Sequence, residues 1–189
     1  MQIIRTRIPD VVILEPHVFG DDRGYFFESW SQRVFDAAVR PVRFVQDNES
    51  RSVYGVVRGL HYQRGLFSQS KLVRVVQGTV RDVAVDLRRG SSTFGQWVAC
   101  DLSAENRRQV FIPRGFAHGF SVLSETAVFQ YKCDNYYAPA EEGGIAWDDP
   151  ELAIDWGLPA EAVILSEKDR HHPRLSQAGD LPLVQFGET

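Results

Sequence analysis

Cysteine is nearly absent from these 189 residues: Cys100 and Cys133 are the only two, at no metal-ligand spacing and with no disulfide framework. Both are expected to be reduced and buried, as suits a cytoplasmic protein. Lysine is scarce too, with only Lys71, Lys132 and Lys168 beside the arginines. No apolar run approaches the roughly 20 residues that cross a bilayer, so no membrane partner is expected. Arg5, Arg7, Pro9 and Asp10 break up the opening stretch, where a signal peptide would need an unbroken apolar core. With 21 basic and 25 acidic side chains the net charge is −4, which argues against a broad nucleic-acid-binding surface. A small anionic ligand needs only a local cluster, and arginine suits bidentate contact with phosphate. Hydrophobic residues at 43% and charged residues at 24% are ordinary globular usage and exclude disorder. One domain, 1–189, is expected.

What is present is a series of short β-rich runs between turn signals. They are Val11–Glu15, Val53–His61, Leu72–Gln77, Thr79–Leu87, Gln96–Asp101, Gln109–Ile112, Gly119–Leu123 and Ala127–Tyr131. Such spacing, without long amphipathic helices, predicts an all-β sandwich or barrel. Ser31–Ala38 is the one decent helix, and the chain from about Gly157 should wrap the outside. Alternation separates Val83 and Val85 from Asp82, Ala84 and Asp86. It also puts Phe129, Tyr131 and Cys133 on one apolar face, so Tyr131 points inward.

Chemistry-bearing residues gather in Gly55–Gln63 and Gln69–Arg74, in Ile112–Phe120 around His118, and in Ser166–Arg170. Ser166 with Asp169 matches a helix capping box, but Pro173 follows and leaves little helix to cap. Arg58 and His61 are three apart and would face opposite ways in a regular strand. Sharing one pocket would require a bulge between them, and Gly59 is the natural place. A metal site is disfavoured: Gln63 stands where a second histidine ligand would be, Arg64 and Lys71 follow, and His171 and His172 should point apart.

At these segments the sequence closely resembles the dTDP-4-dehydrorhamnose 3,5-epimerase family of cofactor-free sugar-nucleotide epimerases. The matching pieces are Val18–Glu28, Gln46–Asn48, Arg58–Gln63, Lys71–Arg74, Asp82–Asp86, Ser92–Gly95, Ile112–Phe120 and Tyr136–Tyr137. Departures fall in one loop, at Arg64–Leu66 and Ser70. The resemblance implies a cupin-like jelly-roll barrel with a few short peripheral helices, its core about 11–137 and a C-terminal wrap about 138–189. It also implies a homodimer, a dTDP-4-keto-6-deoxyhexose substrate, no cofactor and no metal.

By family position His61 is the general base, Asp169 its orienting carboxylate, Lys71 the stabiliser of an enolate and Tyr131 the acid on the opposite face. His118 would be a further sugar contact. Arg23 and Arg58 would bind the diphosphate. Glu28, Gln46 and Asn48 would read thymine or ribose, Phe26 and Tyr136 would stack on the base, and Glu142 and Lys168 take ligand positions. The family often completes this site across the dimer. The implied reaction is epimerisation at C3 and C5 in rhamnose biosynthesis. A mono-epimerase stays open through the altered loop. A metal-dependent cupin oxygenase lacks its second histidine, and a binding module would have no need of His61 or Tyr131.

Overall fold

Alternating short strands with polar turns leave each sheet one face to bury, and here two antiparallel sheets bury theirs against each other. The structure is a computed structural model and describes residues 1–183. In chain order the elements are β1 (Gln2–Arg5), β2 (Val12–Glu15), β3 (Phe19–Asp21), β4 (Gly24–Phe26) and helix α1 (Gln32–Ala38). There follow β5 (Gln46–Val53), β6 (Val57–Gln63), β7 (Lys71–Gln77), β8 (Thr79–Asp86) and β9 (Trp97–Ser103). The last are β10 (Gln109–Ile112), β11 (Phe116–Val122), β12 (Thr126–Cys133) and β13 (Glu142–Gly144). One six-stranded sheet runs β1-β2-β10-β7-β12-β5 and one five-stranded sheet β13-β6-β11-β8-β9. This is the expected cupin-like jelly roll with short peripheral helical turns.

Three apolar clusters hold it. The first lies between the sheets, with Val73 and Val75 of β7, Phe129 of β12 and Val110 and Ile112 of β10 meeting Val80, Ala84, Leu102 and Phe120. The second covers the outward face of the five-stranded sheet, where Val57, Leu60, Val83 and Val85 pack under Leu152, Trp156, Leu175, Ala178 and Leu181. Both faces of β8 are therefore buried: Val83 and Val85 turn away from the barrel interior, while Val80, Asp82 and Ala84 turn into it. The C-terminal segment is what makes an outward valine face favourable. Residues 184–189 of the expected wrap lie outside those described. The third cluster seats α1 on the other sheet: Ser31 caps the helix by accepting from Val34 N at 3.4 Å, and Phe35 packs edge-on against Phe111.

Several boundaries differ from the sequence-based expectation. The run Val53–His61 is broken by a turn at Tyr54–Gly55 and resumes at Val57. β5 was not expected as a strand, because its Gln46–Val53 sequence is polar on both faces. Asp47 sits within it and pairs outward with Lys132 at 3.0 Å. The hairpin β3–β4 pairs only with itself.

Candidate active site

The barrel interior holds a cavity of about 500 Å³. Its walls come from both sheets. Arg58, His61 and His118 face it from β6 and β11, and Asn48, Lys71 and Tyr131 from β5, β7 and β12. Lys71 and Tyr131 come together because β7 and β12 pair antiparallel, which leaves the Lys71 ammonium 5.8 Å from the Tyr131 ring centre. The inward direction deduced for Tyr131 holds.

Arg58 and His61 share this cavity through the bulge that their odd spacing demands. His118 pairs with His61 and Phe120 with Arg58, so β6 spends one residue more than β11 between the two pairs. Gly59 absorbs it at φ 124°. A Cβ there would stand 2.6 Å from Gly119 Cα and 2.8 Å from His118 O, so no side chain fits. The Arg58 guanidinium donates to Ser52 Oγ at 3.1 Å.

Two imidazole–carboxylate pairs flank the cavity. His61 Nε2 lies 2.6 Å from Asp169 Oδ1, with the histidine partly open and the aspartate buried. Asp169 is delivered by the C-terminal segment as Ser166 Oγ accepts from its backbone N–H at 3.1 Å. That is one half of the capping box; the carboxylate turns to the histidine instead of reciprocating. Burial raises the Asp169 carboxyl, but the imidazoles of His172 and His61 outweigh it and hold the group well below the ordinary carboxylate range. An ionised Asp169 accepts the hydrogen bond from Nε2–H, and Nδ1 of His61 keeps the lone pair.

The second pair, His118 Nε2 to Asp82 Oδ2 at 2.7 Å, is buried on both sides. Burial pulls the His118 imidazole down and Asp82 only partly offsets it. Burial likewise lowers the Lys71 ammonium, against the neighbouring Cys133, Asp82 and Glu142, and raises the Tyr131 phenol. Asp82 was missed as a site residue. The available signal was alternation, which put a carboxylate on the face opposite two buried valines.

The remaining candidates stand further out. Gln46 Nε2 donates to Asn48 Oδ1 at 2.9 Å, and its Oε1 accepts from Tyr137 N at 3.1 Å. Glu142 accepts from Tyr137 Oη at 2.7 Å and is ion-paired with Lys168. Tyr136 is exposed, with its carbonyl accepting from Gln63 Nε2 at 3.2 Å. Arg23, Phe26 and Glu28 do not line the cavity of their own chain. The β3–β4 hairpin carries the first two into solvent, where Arg23 pairs with Asp21 and Phe26 is 71% exposed.

His171 and His172 point apart as expected: His171 is exposed beside Glu167, while the His172 side chain is mostly enclosed. His172 was not expected at the site, yet its ring meets that of His61 edge-on with centres 5.6 Å apart. Its Nε2 is 3.3 Å from Asp169 Oδ1 without hydrogen-bond geometry and has no other hydrogen-bond partner among the described residues.

Two packed antiparallel sheets enclosing a cavity with an imidazole–carboxylate pair, a lysine and a phenol define a cupin-like barrel equipped for proton transfer. The chain belongs to the dTDP-4-dehydrorhamnose 3,5-epimerase family, whose family model matches residues 5–177. It is 60% identical over 183 residues to the dTDP-4-dehydrorhamnose 3,5-epimerase of Pseudomonas aeruginosa PAO1, covering 96% of this chain and 100% of that one. The enzyme of the same name from Escherichia coli K12 is 54% identical, covering 97% and 100%. A crystal structure of the dTDP-6-deoxy-D-glucose-3,5-epimerase of Legionella pneumophila Philadelphia 1, in complex with dTDP-4-keto-L-rhamnose, matches with a TM-score of 0.94. That match has 52% identity and covers 97% of this chain and 98% of that one.

Proposed function

We propose that this chain epimerises dTDP-4-dehydro-6-deoxy-D-glucose at C3 and C5 to dTDP-4-dehydro-L-rhamnose, by proton transfer through an enolate. The observation that carries this reading is the division of labour between the sheets. The base and its carboxylate are on the wall formed by β6, while the phenol and ammonium are on the wall formed by β7 and β12. A sugar held between them has a base on one face and an acid on the other, as inversion requires.

The 4-keto group acidifies the hydrogens at C3 and C5. Nδ1 of His61 takes the proton, the C–H electron pair delocalises onto O4, and Asp169 stabilises the imidazolium. Lys71 donates to the enolate oxygen, a contribution of about 3–4 kcal/mol in comparable sites. Tyr131 returns a proton from the opposite face, and its raised pKa keeps it a donor at neutral pH. His118 accepts from a sugar hydroxyl.

Arg58 binds the diphosphate from within the chain, with Gln46, Asn48, Tyr136, Glu142 and Lys168 around the nucleoside. Arg23, Phe26 and Glu28 project away from their own cavity, so they serve the cavity of a second copy in a homodimer. Cys100 and Cys133, both free, support a reducing cytoplasmic setting; no helix of the described residues is long and apolar enough to cross a membrane.

The test is proton NMR of the substrate in D₂O with enzyme and a chelator. Deuterium at both C3 and C5 is the expected outcome. Exchange at one carbon only would replace this reading with a mono-epimerase, and no exchange despite tight dTDP binding would leave a binding module.

A further inference from the structure

The cluster beside the catalytic pair has a geometry that proton transfer alone does not use. In β13, Gly144 stands opposite His61 of β6. A Cβ at 144 would fall 2.4 Å from three atoms of the His172 ring, so the imidazole occupies the space that a side chain would otherwise fill. This fixes His172 against the sheet, next to His61, with its side chain 9% exposed. Its Nε2 is buried and has no hydrogen-bond partner among the described residues. Burying a polar nitrogen without a partner is costly.

One atom from each of His61, Asp169 and His172 lies within 4.8 Å of the other two. Two imidazole nitrogens and a carboxylate oxygen are donors that zinc prefers, at about 2.0–2.2 Å from the ion. Tetrahedral coordination at those lengths sets donors about 3.3–3.6 Å apart. His172 Nε2 and Asp169 Oδ1, at 3.3 Å, already meet that spacing. His61 Nε2 and Asp169 Oδ1, at 2.6 Å, need to open by less than an ångström.

The neighbouring cations leave room. Lys168 is held by Glu142, and Arg64 donates to the Glu142 carbonyl at 3.0 Å with its guanidinium over the Tyr62 ring. Lys71 stands across the cavity on the other sheet.

We infer that His61, Asp169 and His172 form a binding site for a single zinc-like divalent ion, and that the bound ion inhibits the enzyme. The mechanism of inhibition is a change of tautomer. In the metal-free pair the proton of neutral His61 is on Nε2, directed at Asp169, and Nδ1 is free to act as base. An ion on Nε2 displaces that proton, and the neutral ring carries its proton on Nδ1 instead. No bond to substrate forms or breaks, and no electron moves. The ion therefore lowers the maximal rate while leaving dTDP binding in place.

The inhibition half rests on His61 being the base; the binding half does not. Cobalt(II) is the probe for binding, because a tetrahedral site gives intense visible absorption bands whether or not the enzyme turns over. Cobalt bands saturating at one ion per chain are expected, together with zinc inhibition reversed by EDTA and unchanged dTDP affinity. His172→Gln should weaken both cobalt binding and zinc inhibition by at least roughly 100-fold, since even outer partners of metal ligands are worth 10- to 100-fold. Each constant is compared within its own protein, so a lower starting rate of the variant does not enter. Gly144→Ala, which pushes the His172 ring aside, should act in the same direction and guards against misfolding of the first variant. Absence of cobalt bands, or zinc inhibition equal in the wild type and both variants, overturns the site. Cobalt bands in a protein that exchanges no substrate protons would uphold the site and overturn the assigned reaction.

Discussion

Two imidazole–carboxylate pairs face one cavity in this barrel, and their surroundings give them different work. His61–Asp169 joins a half-open histidine to a carboxylate brought in from the C-terminal segment, 108 residues away. His118–Asp82 joins two fully buried groups on the adjacent strands β11 and β8. In the second pair burial keeps the imidazole neutral. It serves as a fixed hydrogen-bonding post. In the first, the histidine is partly open to solvent and the carboxylate is held firmly ionised. On the proposed reading the same residue types are thus a catalyst in one place and a scaffold in the other, and burial separates the two.

The sharpest way to break this comparison is His61→Asn. It should reduce deuterium exchange at C3 and C5 by about 10²–10⁴-fold, the usual worth of a general base. Binding of dTDP, followed by calorimetry, should stay within a few-fold. Retained exchange would remove His61 as the base. Next in size is Asp82→Ala, which strands His118 in the interior. A lost hydrogen bond to a charged partner costs about 1.5–3 kcal/mol. Thermal melts should fall by roughly 3–12 °C, at about 2–4 °C per kcal/mol for a chain of this size. A variant that melts like the wild type would show that the buried pair is no scaffold.

His118→Asn should be milder. Losing one neutral hydrogen bond to the sugar, about 0.5–1.5 kcal/mol, raises KM by up to roughly 10-fold with kcat nearly unchanged. A fall in kcat matching that of His61→Asn would make the two pairs equivalent. The smallest effect concerns the shape of a curve. Asp169 is depressed in the folded state, so the stability it contributes is full above the ordinary carboxylate pKa of about 3.9 and is lost as pH falls below it. In urea melts the gap between wild type and Asp169→Asn should shrink below about pH 4. A gap independent of pH would contradict the depressed carboxyl.

Much of this arrangement was legible beforehand, and for identifiable reasons. Alternation in Phe129–Cys133 gave the inward direction of Tyr131. The odd spacing of Arg58 and His61 required the bulge that Gly59 makes. What escaped was polar or distant. β5 lacks an apolar face because, as an edge strand, its inner side lines the cavity and its outer side carries Asp47 and Glu49, paired with Lys132 and Gln130. β8 has two buried faces, so its valines could not by themselves tell inside from outside. His172 escaped because its place depends on a missing side chain at Gly144, in another strand. Such a vacancy shows only when the chain is folded.

The C-terminal segment that covers the outward valines also supplies Asp169, and this has a bearing on the order of synthesis. Synthesis runs from the N-terminus at about 5–20 residues per second, and a domain generally folds as a unit. By the time Cys133 has emerged from the ribosome, His61, Lys71, His118 and Tyr131 have all been made, yet Asp169 has not. A nascent chain at that stage holds His61 without the carboxylate that its imidazole meets in the folded barrel. The His61–Asp169 pair is therefore completed late, by the same stretch that covers the outward valines, so a barrel that has its pair also has its cover.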